Sequence, residues 1–376
     1  MKSRLWKPPV IPVAKVRVSV ARPQTKLAYQ LTVGENYAAL DLGTNNCRLL
    51  IARPSPSGFR IVDSFSRIVR LGEGLAASGK ISEAAITRTI DTLKICASRL
   101  TEQNVCKRRL IATEACRAAA NGEEFLERVY RETGLRLEII ERQVEAELAA
   151  AGCAVLMARS ADSVILFDIG GGSTEVVWLA SSRYGTSIGQ RIRQWTSVPM
   201  GVVTLAERHG GNDVSEKLYN DMVAEVLASL QPFIDSIDKR RFGKDFHLLG
   251  TSGTVTTVGA LHLNLPRYDR KQVDGLWMTT RSASEVIAKL RSQNYAERVA
   301  NACIGTERAD LVLAGCAIYD AVALAFPSEK IRIADRGLRE GILIQLMQQD
   351  NVWHDKRGPA IRHAMTKSAK PEQTEQ

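Results

Sequence analysis

Nothing in the 376 residues approaches the ~18 consecutive apolar residues that a bilayer-spanning helix needs, so no membrane span is expected. The cysteines at 47, 96, 106, 116, 153, 303 and 316 are odd in number and contain no CxxC pair. That spacing argues against a disulfide framework or a zinc site, and the apolar patterns around most of them fit a reducing cytoplasm. Acidic residues are absent from residues 1–30, which carry seven Lys/Arg, and residues 351–376 carry five Lys/Arg against three acids. The net charge of +10 therefore sits mostly at the two ends, leaving residues 31–350 at about +1. The one short apolar stretch near the start, 10–14, is broken by Pro12 and flanked by Lys7 and Lys15, which does not make a secretory signal. Residues 1–35 and 351–376 are expected to be basic, flexible tails. Solvated extensions are the simple reading; weak contact with nucleic acid, ribosomes or another polyanion is the sharper one.

The chain as a whole is ordinary for a globular protein, 45% hydrophobic and 24% charged, and long enough for two domains. Short apolar strands are expected at 37–40, 49–52, 59–65, 109–112 and 135–140, and again at 164–167, 175–179, 246–249 and 331–334. Helical periodicity runs from Ser82 through Leu100, then at 145–157, 214–235, 254–262, 282–292, 307–325 and 337–347. Asn121 and Glu124 carry a capping-box signature, and Gly134 closes the helix that follows. Strands alternating with helices indicate an α/β protein.

An internal repeat organises the pattern. Residues 41–50 (DLGTNNCRLL) align with 168–177 (DIGGGSTEVV): each is an aspartate at the end of an apolar strand, a small-residue turn and a second apolar strand. Two lobes facing a shared cleft are implied. Gly43, Gly170, Gly171 and Gly172 would let backbone N–H groups approach a dense negative charge, and Thr44, Asn45, Ser173 and Thr174 add neutral donors. Ser252, Gly253 and Thr254 form a third loop that opens a helix. A plain hairpin turn explains any one loop; three together suit a phosphate ligand. Asp41 and Asp168, meeting in one cleft, would repel unless a cation joined them, and Mg²⁺ suits carboxylates combined with phosphate oxygens. Glu175 is a further ligand candidate or an exposed strand residue. Glu145 and Glu147 either favour a helix N-terminus or place a base at the cleft.

The runs 37–45 (YAALDLGTN), 69–75 (VRLGEGL), 112–117 (ATEACR), 167–175 (FDIGGGSTE), 250–254 (GTSGT) and 338–341 (LREG), in that order, resemble the exopolyphosphatase and guanosine pentaphosphate phosphatase family over roughly residues 36–350. The resemblance implies the duplicated ribonuclease H-like, two-lobed fold of actin, sugar kinases and heat-shock ATPases, with a central cleft. The lobes would be 36–159 and 160–336, with the last helix, 337–349, packing back on the first. It implies a Mg²⁺- or Mn²⁺-dependent phosphoanhydride hydrolase acting on inorganic polyphosphate or guanosine pentaphosphate, often as a homodimer. By position Glu145 matches the general base, Asp168 and Glu175, with Asp41, the acids that hold metal and water, and Arg70 and Arg117 candidate phosphate-binding residues. A bare arginine at either place is more often a surface residue or part of a structural ion pair. The segment usually written GNEEA reads Arg142-Gln143-Val144-Glu145-Ala146, keeping the second glutamate only. The length resembles the short, two-domain members. Rival readings are a kinase or ATPase of the same fold, and a non-enzymatic sensor of guanosine alarmones or RNA.

Overall fold

A computed structural model describes residues 35–181, 183 and 187–353; of the tails expected at 1–35 and 351–376, residues 1–34 and 354–376 lie outside the described residues. Strand β1 (Asn36–Leu42) runs into a tight turn, where Gly43 N–H donates to Asn46 O at 2.9 Å, and returns antiparallel as β2 (Asn46–Ser55). β3 (Gly58–Ile68) continues the meander. On the other side of β1, β4 (Val105–Ala112) and then β5 (Glu138–Ile139) add in parallel, giving the order β3-β2-β1-β4-β5. β1 is the centre of this sheet and is buried on both faces, so its apolar run does not alternate.

The second sheet repeats that order. β6 (Ser163–Ile169) and β7 (Thr174–Ala180) form the hairpin and β8 (Ile192–Val198) extends it. β9 (Phe246–Thr251) and β11 (Lys330–Ala334) add in parallel, with β10 (Trp277–Thr279) antiparallel at the edge. The order β8-β7-β6-β9-β11 matches β3-β2-β1-β4-β5 strand for strand, the topology of a duplicated ribonuclease H-like fold. Register is kept as well: Asp41 pairs with Arg48 across the first hairpin, and Asp168 pairs with Glu175 across the second.

Two helices cross between the sheets. The Glu145 helix (Arg142–Cys153) follows β5, yet its Ala146, Ala150 and Cys153 pack on Val164, Leu166, Val177 and Leu179 of the second sheet. The helix Leu338–Gln349 follows β11, yet its Ile342, Leu343 and Met347 pack on Tyr37, Ala39, Leu50 and Ile111 of the first. The two helices touch through glycine: a Cβ on Gly152 would lie 2.0 Å from Gly337 O, and one on Gly341 2.0 Å from Leu148 O. Glycine at 152 and 341 is the requirement for that approach.

Several expectations are corrected. The tail does not begin at 351, because Val352 and Trp353 are buried in the first sheet's core and Trp353 Nε1 donates to Ser55 O at 3.0 Å. The strand at 135–140 shrinks to two residues, since β5 is an edge strand that meets only Ile111 and Ala112. The Glu145 helix starts three residues earlier and gives way to a 3-10 turn at Ala154–Leu156. Asn121 makes no capping hydrogen bond; its amide accepts from Ile81 N and donates to Ile81 O, tying the 122–133 helix to the segment before the 83–102 helix. β8, β10 and the helix Val202–His209 had no clear periodic signal. All seven cysteines are free, and among the described residues no helix is long and apolar enough to cross a membrane.

Candidate active site

Both hairpin turns open onto one cleft of about 700 Å³. Carbonyl groups of Gly170 and Gly171 accept from Val202 N and Val203 N, at 3.0 and 2.9 Å, at the start of the 202–209 helix. In a trans peptide the N–H points opposite the C=O, so the N–H groups of Gly171 and Gly172 face away from that helix. The first turn is held the same way: Thr44 O accepts from Gly72 N, and Asn45 O accepts from Val69 N and Arg70 N. The turns also press on each other. A Cβ on Gly171 would stand 3.0 Å from Thr44 Cβ and 3.1 Å from Asn45 N, and one on Gly172 2.7 Å from Thr44 Oγ1. These glycines therefore serve close approach between the lobes as well as backbone access.

The third loop is strained. Ser252 has φ 92° and ψ 179°, a region natural to glycine, at the start of the helix Gly253–His262. Its Oγ, with Asn45 Oδ1 and Asn46 Oδ1, is buried in the cleft wall without a protein hydrogen-bond partner. Three buried orphan polar atoms, two on the first turn and one on the third loop, mark a ligand site.

Asp41, Asp168, Glu175 and Glu145 all line the cleft. Glu175 is buried, and its Oε1 accepts from Ser173 Oγ and Ser197 Oγ, each at 2.8 Å. Burial, then the charge of Asp168, pushes its pKa up to about 7. Asp168 is half-buried at the cleft; burial, opposed by Arg48 and assisted by Asp41, raises it to about 6. Asp41 is raised by burial against the pull of Arg48 and Arg339. Burial and the nearby Glu175 raise Glu145 well above the carboxylate range, against Arg117, whose Nη2 donates to Glu145 Oε2 at 3.1 Å. Four acids resisting ionisation in one cleft are what a cation would relieve.

Gly43, Thr44, Asn45, Gly170, Gly171, Gly172, Ser173, Ser252, Gly253 and Thr254 line the cleft as expected. Three expected residues do not. Thr174 Oγ1 is committed to Met200 O at 2.7 Å. Arg70, at φ 47°, reaches across the lobes to Asp310 Oδ2 at 3.0 Å. Arg117 is occupied by Glu114 and Glu145. Sequence reading missed Glu114, Arg48, Arg270, Arg308, Arg336 and Arg339, all cleft-lining. Arg48 had a signal, since the repeat aligns it with Glu175.

Paired strand-turn-strand units on duplicated sheets, with acids and orphan polar atoms facing one cleft, define a two-lobed α/β protein with a ligand cleft between its lobes. The profile of the Ppx/GppA phosphatase family matches residues 50–350, and the chain belongs to that family. A guanosine-5'-triphosphate,3'-diphosphate pyrophosphatase of Aeromonas hydrophila is 28% identical over 314 residues, which are 83% of this chain and 59% of that one. The chain thus spans about three fifths of that relative's length. The crystal structure of a Ppx/GppA family member from Aquifex aeolicus is 30% identical, with TM-score 0.69 over 84% of this chain and 99% of that one. An exopolyphosphatase structure from Cytophaga hutchinsonii, 24% identical, shares the fold with TM-score 0.74 over 84% of this chain and 98% of that one.

Proposed function

We propose that this chain hydrolyses the terminal phosphoanhydride bond of a phosphate chain, with inorganic polyphosphate the first substrate and guanosine pentaphosphate, brought forward by the Aeromonas relative's name, the alternative. The observation that carries this reading is the convergence of Glu145 with Glu175 and Asp168 on one cleft between two facing glycine turns. Turn N–H groups and the 253–262 helix start would hold the terminal phosphate oxygens. Glu145, oriented by Arg117 and with raised proton affinity, accepts a proton from water as that water attacks phosphorus in line. One P–O bond forms, the bridging P–O bond breaks, and its electron pair leaves with the shortened chain. Turn N–H groups and the cleft arginines oppose the charge that spreads over the phosphoryl oxygens.

The acids suit a divalent cation. Among the described residues no three His, Cys, Asp or Glu side chains stand together as a ready-made metal cage. Mg²⁺ commonly takes one or two carboxylates together with substrate phosphate oxygens. Asp41, Asp168 and Glu175 are the residues that would hold Mg²⁺ or Mn²⁺, which when bound would neutralise phosphate oxygens. The test is phosphate release from polyphosphate and guanosine pentaphosphate side by side, at matched terminal-phosphate concentration, with and without chelator. Release from either, lost on chelation and restored by Mg²⁺, is expected. No release from either substrate, or transfer of phosphate to an added sugar or acid, would sink the hydrolase reading; full activity in excess chelator would remove the cation alone.

A further inference from the structure

Glu114 and Arg142 have no part in the mechanism above, yet they stand beside it. Glu114 opens the five-residue helix Glu114–Ala118 directly after β4 and is buried. Both of its oxygens are engaged. Arg142 Nη2 donates to Oε1 at 2.8 Å and Arg142 Nε to Oε2 at 3.1 Å. Arg117 Nη2 and Nε donate to Oε2 at 2.7 and 3.1 Å. Four charge-assisted hydrogen bonds from two guanidinium forks onto one carboxylate reproduce the geometry by which arginines hold a phosphate group.

The layering matters. Glu114 lines the cleft while Arg117 and Arg142 do not, so Glu114 is the member of this cluster that meets the space a phosphate chain would occupy. It also meets the phosphate turn directly: a Cβ on Gly172 would be 3.1 Å from Glu114 Cγ. Arg142 is the first residue of the Glu145 helix, one turn before Glu145, and its side chain is 42% exposed, so it can move without a large desolvation cost. Burial of Glu114 is outweighed by its two arginines, which keep its carboxyl below the ordinary range and therefore ionised at neutral pH.

We propose that Arg117 and Arg142 together form one anion site, that Glu114 occupies it in this arrangement as an internal competitor, and that a phosphate group displaces the Glu114 carboxylate to bind there. The occupant is the terminal phosphate of the chain or the orthophosphate released from it, which share one chemistry. The proposal rests on the hydrolase reading for its ligand and adds Arg142 as a residue that positions phosphate.

Orthophosphate binding to the whole protein, measured by titration calorimetry, and KM for tripolyphosphate separate the cases. Glu114→Gln keeps the shape and removes the competing charge; it should tighten orthophosphate, lower KM, or both, by about 10-fold, the scale of a lost charge-assisted contact. Arg142→Gln should weaken the same constant by a similar factor, and Arg142→Lys should recover part of the loss. A change confined to orthophosphate assigns the site to the product; a change confined to KM assigns it to the chain end. Unchanged constants in Glu114→Gln with folding intact, or weakening in Glu114→Gln to match Arg142→Gln, would overturn the proposal and leave Glu114 a structural ion pair. Because orthophosphate binding needs no turnover, the expected pattern without phosphate release would refute the hydrolase reading alone.

Discussion

Glu145 accepts from Arg117 at 3.1 Å and lines the cleft, whereas Glu147, two residues on, accepts from Gln143 Nε2 at 3.0 Å and does not. Glu145→Gln keeps size and hydrogen bonding but cannot take a proton, so kcat should fall by ~10²–10⁴-fold with KM little changed. Glu147→Gln should stay within a few-fold of the native rate. Equal damage from both would strip Glu145 of its role and make Glu175 the next candidate. A second expectation concerns pH. Asp168 and Glu175 have folded pKa values raised to about 6 and about 7. A carboxyl that binds its proton more tightly when folded adds stability below its unfolded pKa and loses it as pH rises through the folded one. Stability of metal-free protein should therefore drop between about pH 4 and pH 7, by roughly 1–3 kcal/mol for Asp168. Asp168→Asn should show a smaller drop in denaturant titrations across that window; an equal drop would show that Asp168 titrates normally. The motif acids and glycines were legible because their chemistry needs fixed residue types at fixed spacing. Arg70 and Arg117 were not, because an arginine's partner is decided by folding: one found Asp310, 240 positions away, and the other Glu114 and Glu145.

Strands and helices with a clean period were legible in the sequence, and those placed by tertiary contact were not. β1, β2, β6 and β7 could be read from apolar runs around a small-residue turn, but β8 carries Arg193, Gln194 and Thr196 in an edge-side position and gives no such run. The helix Val202–His209 exists because the carbonyls of Gly170 and Gly171 meet its first N–H groups, a partnership no local pattern records. At the other end, charge suggested a tail from 351, while two apolar side chains in that segment decide otherwise. Trp353 lies with Tyr37, Leu50 and Met347. Trp353→Ala should cost about 3 kcal/mol in urea titration, the usual range for emptying a buried tryptophan site. A chain ending at Asp350 should lose at least as much, and one ending at Trp353 should keep that part of its stability. If the two truncated chains are equally stable, Trp353 contributes no anchor.

The two lobes are joined more deeply than a shared cleft requires. Arg70 reaches Asp310, and Gly74 N donates to Glu207 Oε1 at 2.8 Å, so ties between lobes lie beyond the cleft walls. The repeat made two lobes legible from the sequence, but not which helix would cover which sheet. Each central sheet is faced by a helix whose chain connection runs to the other: the Glu145 helix leaves β5 and lies on β6 and β7, while the 338–349 helix leaves β11 and lies on β1 and β2. Neither half can complete its apolar interior from its own stretch of sequence. Heating should therefore melt the molecule as one cooperative unit, with calorimetric and van't Hoff enthalpies agreeing, where two independently folding halves would give two steps. The two helices are exchanged between the lobes as arms are exchanged in a domain-swapped dimer, here within one chain.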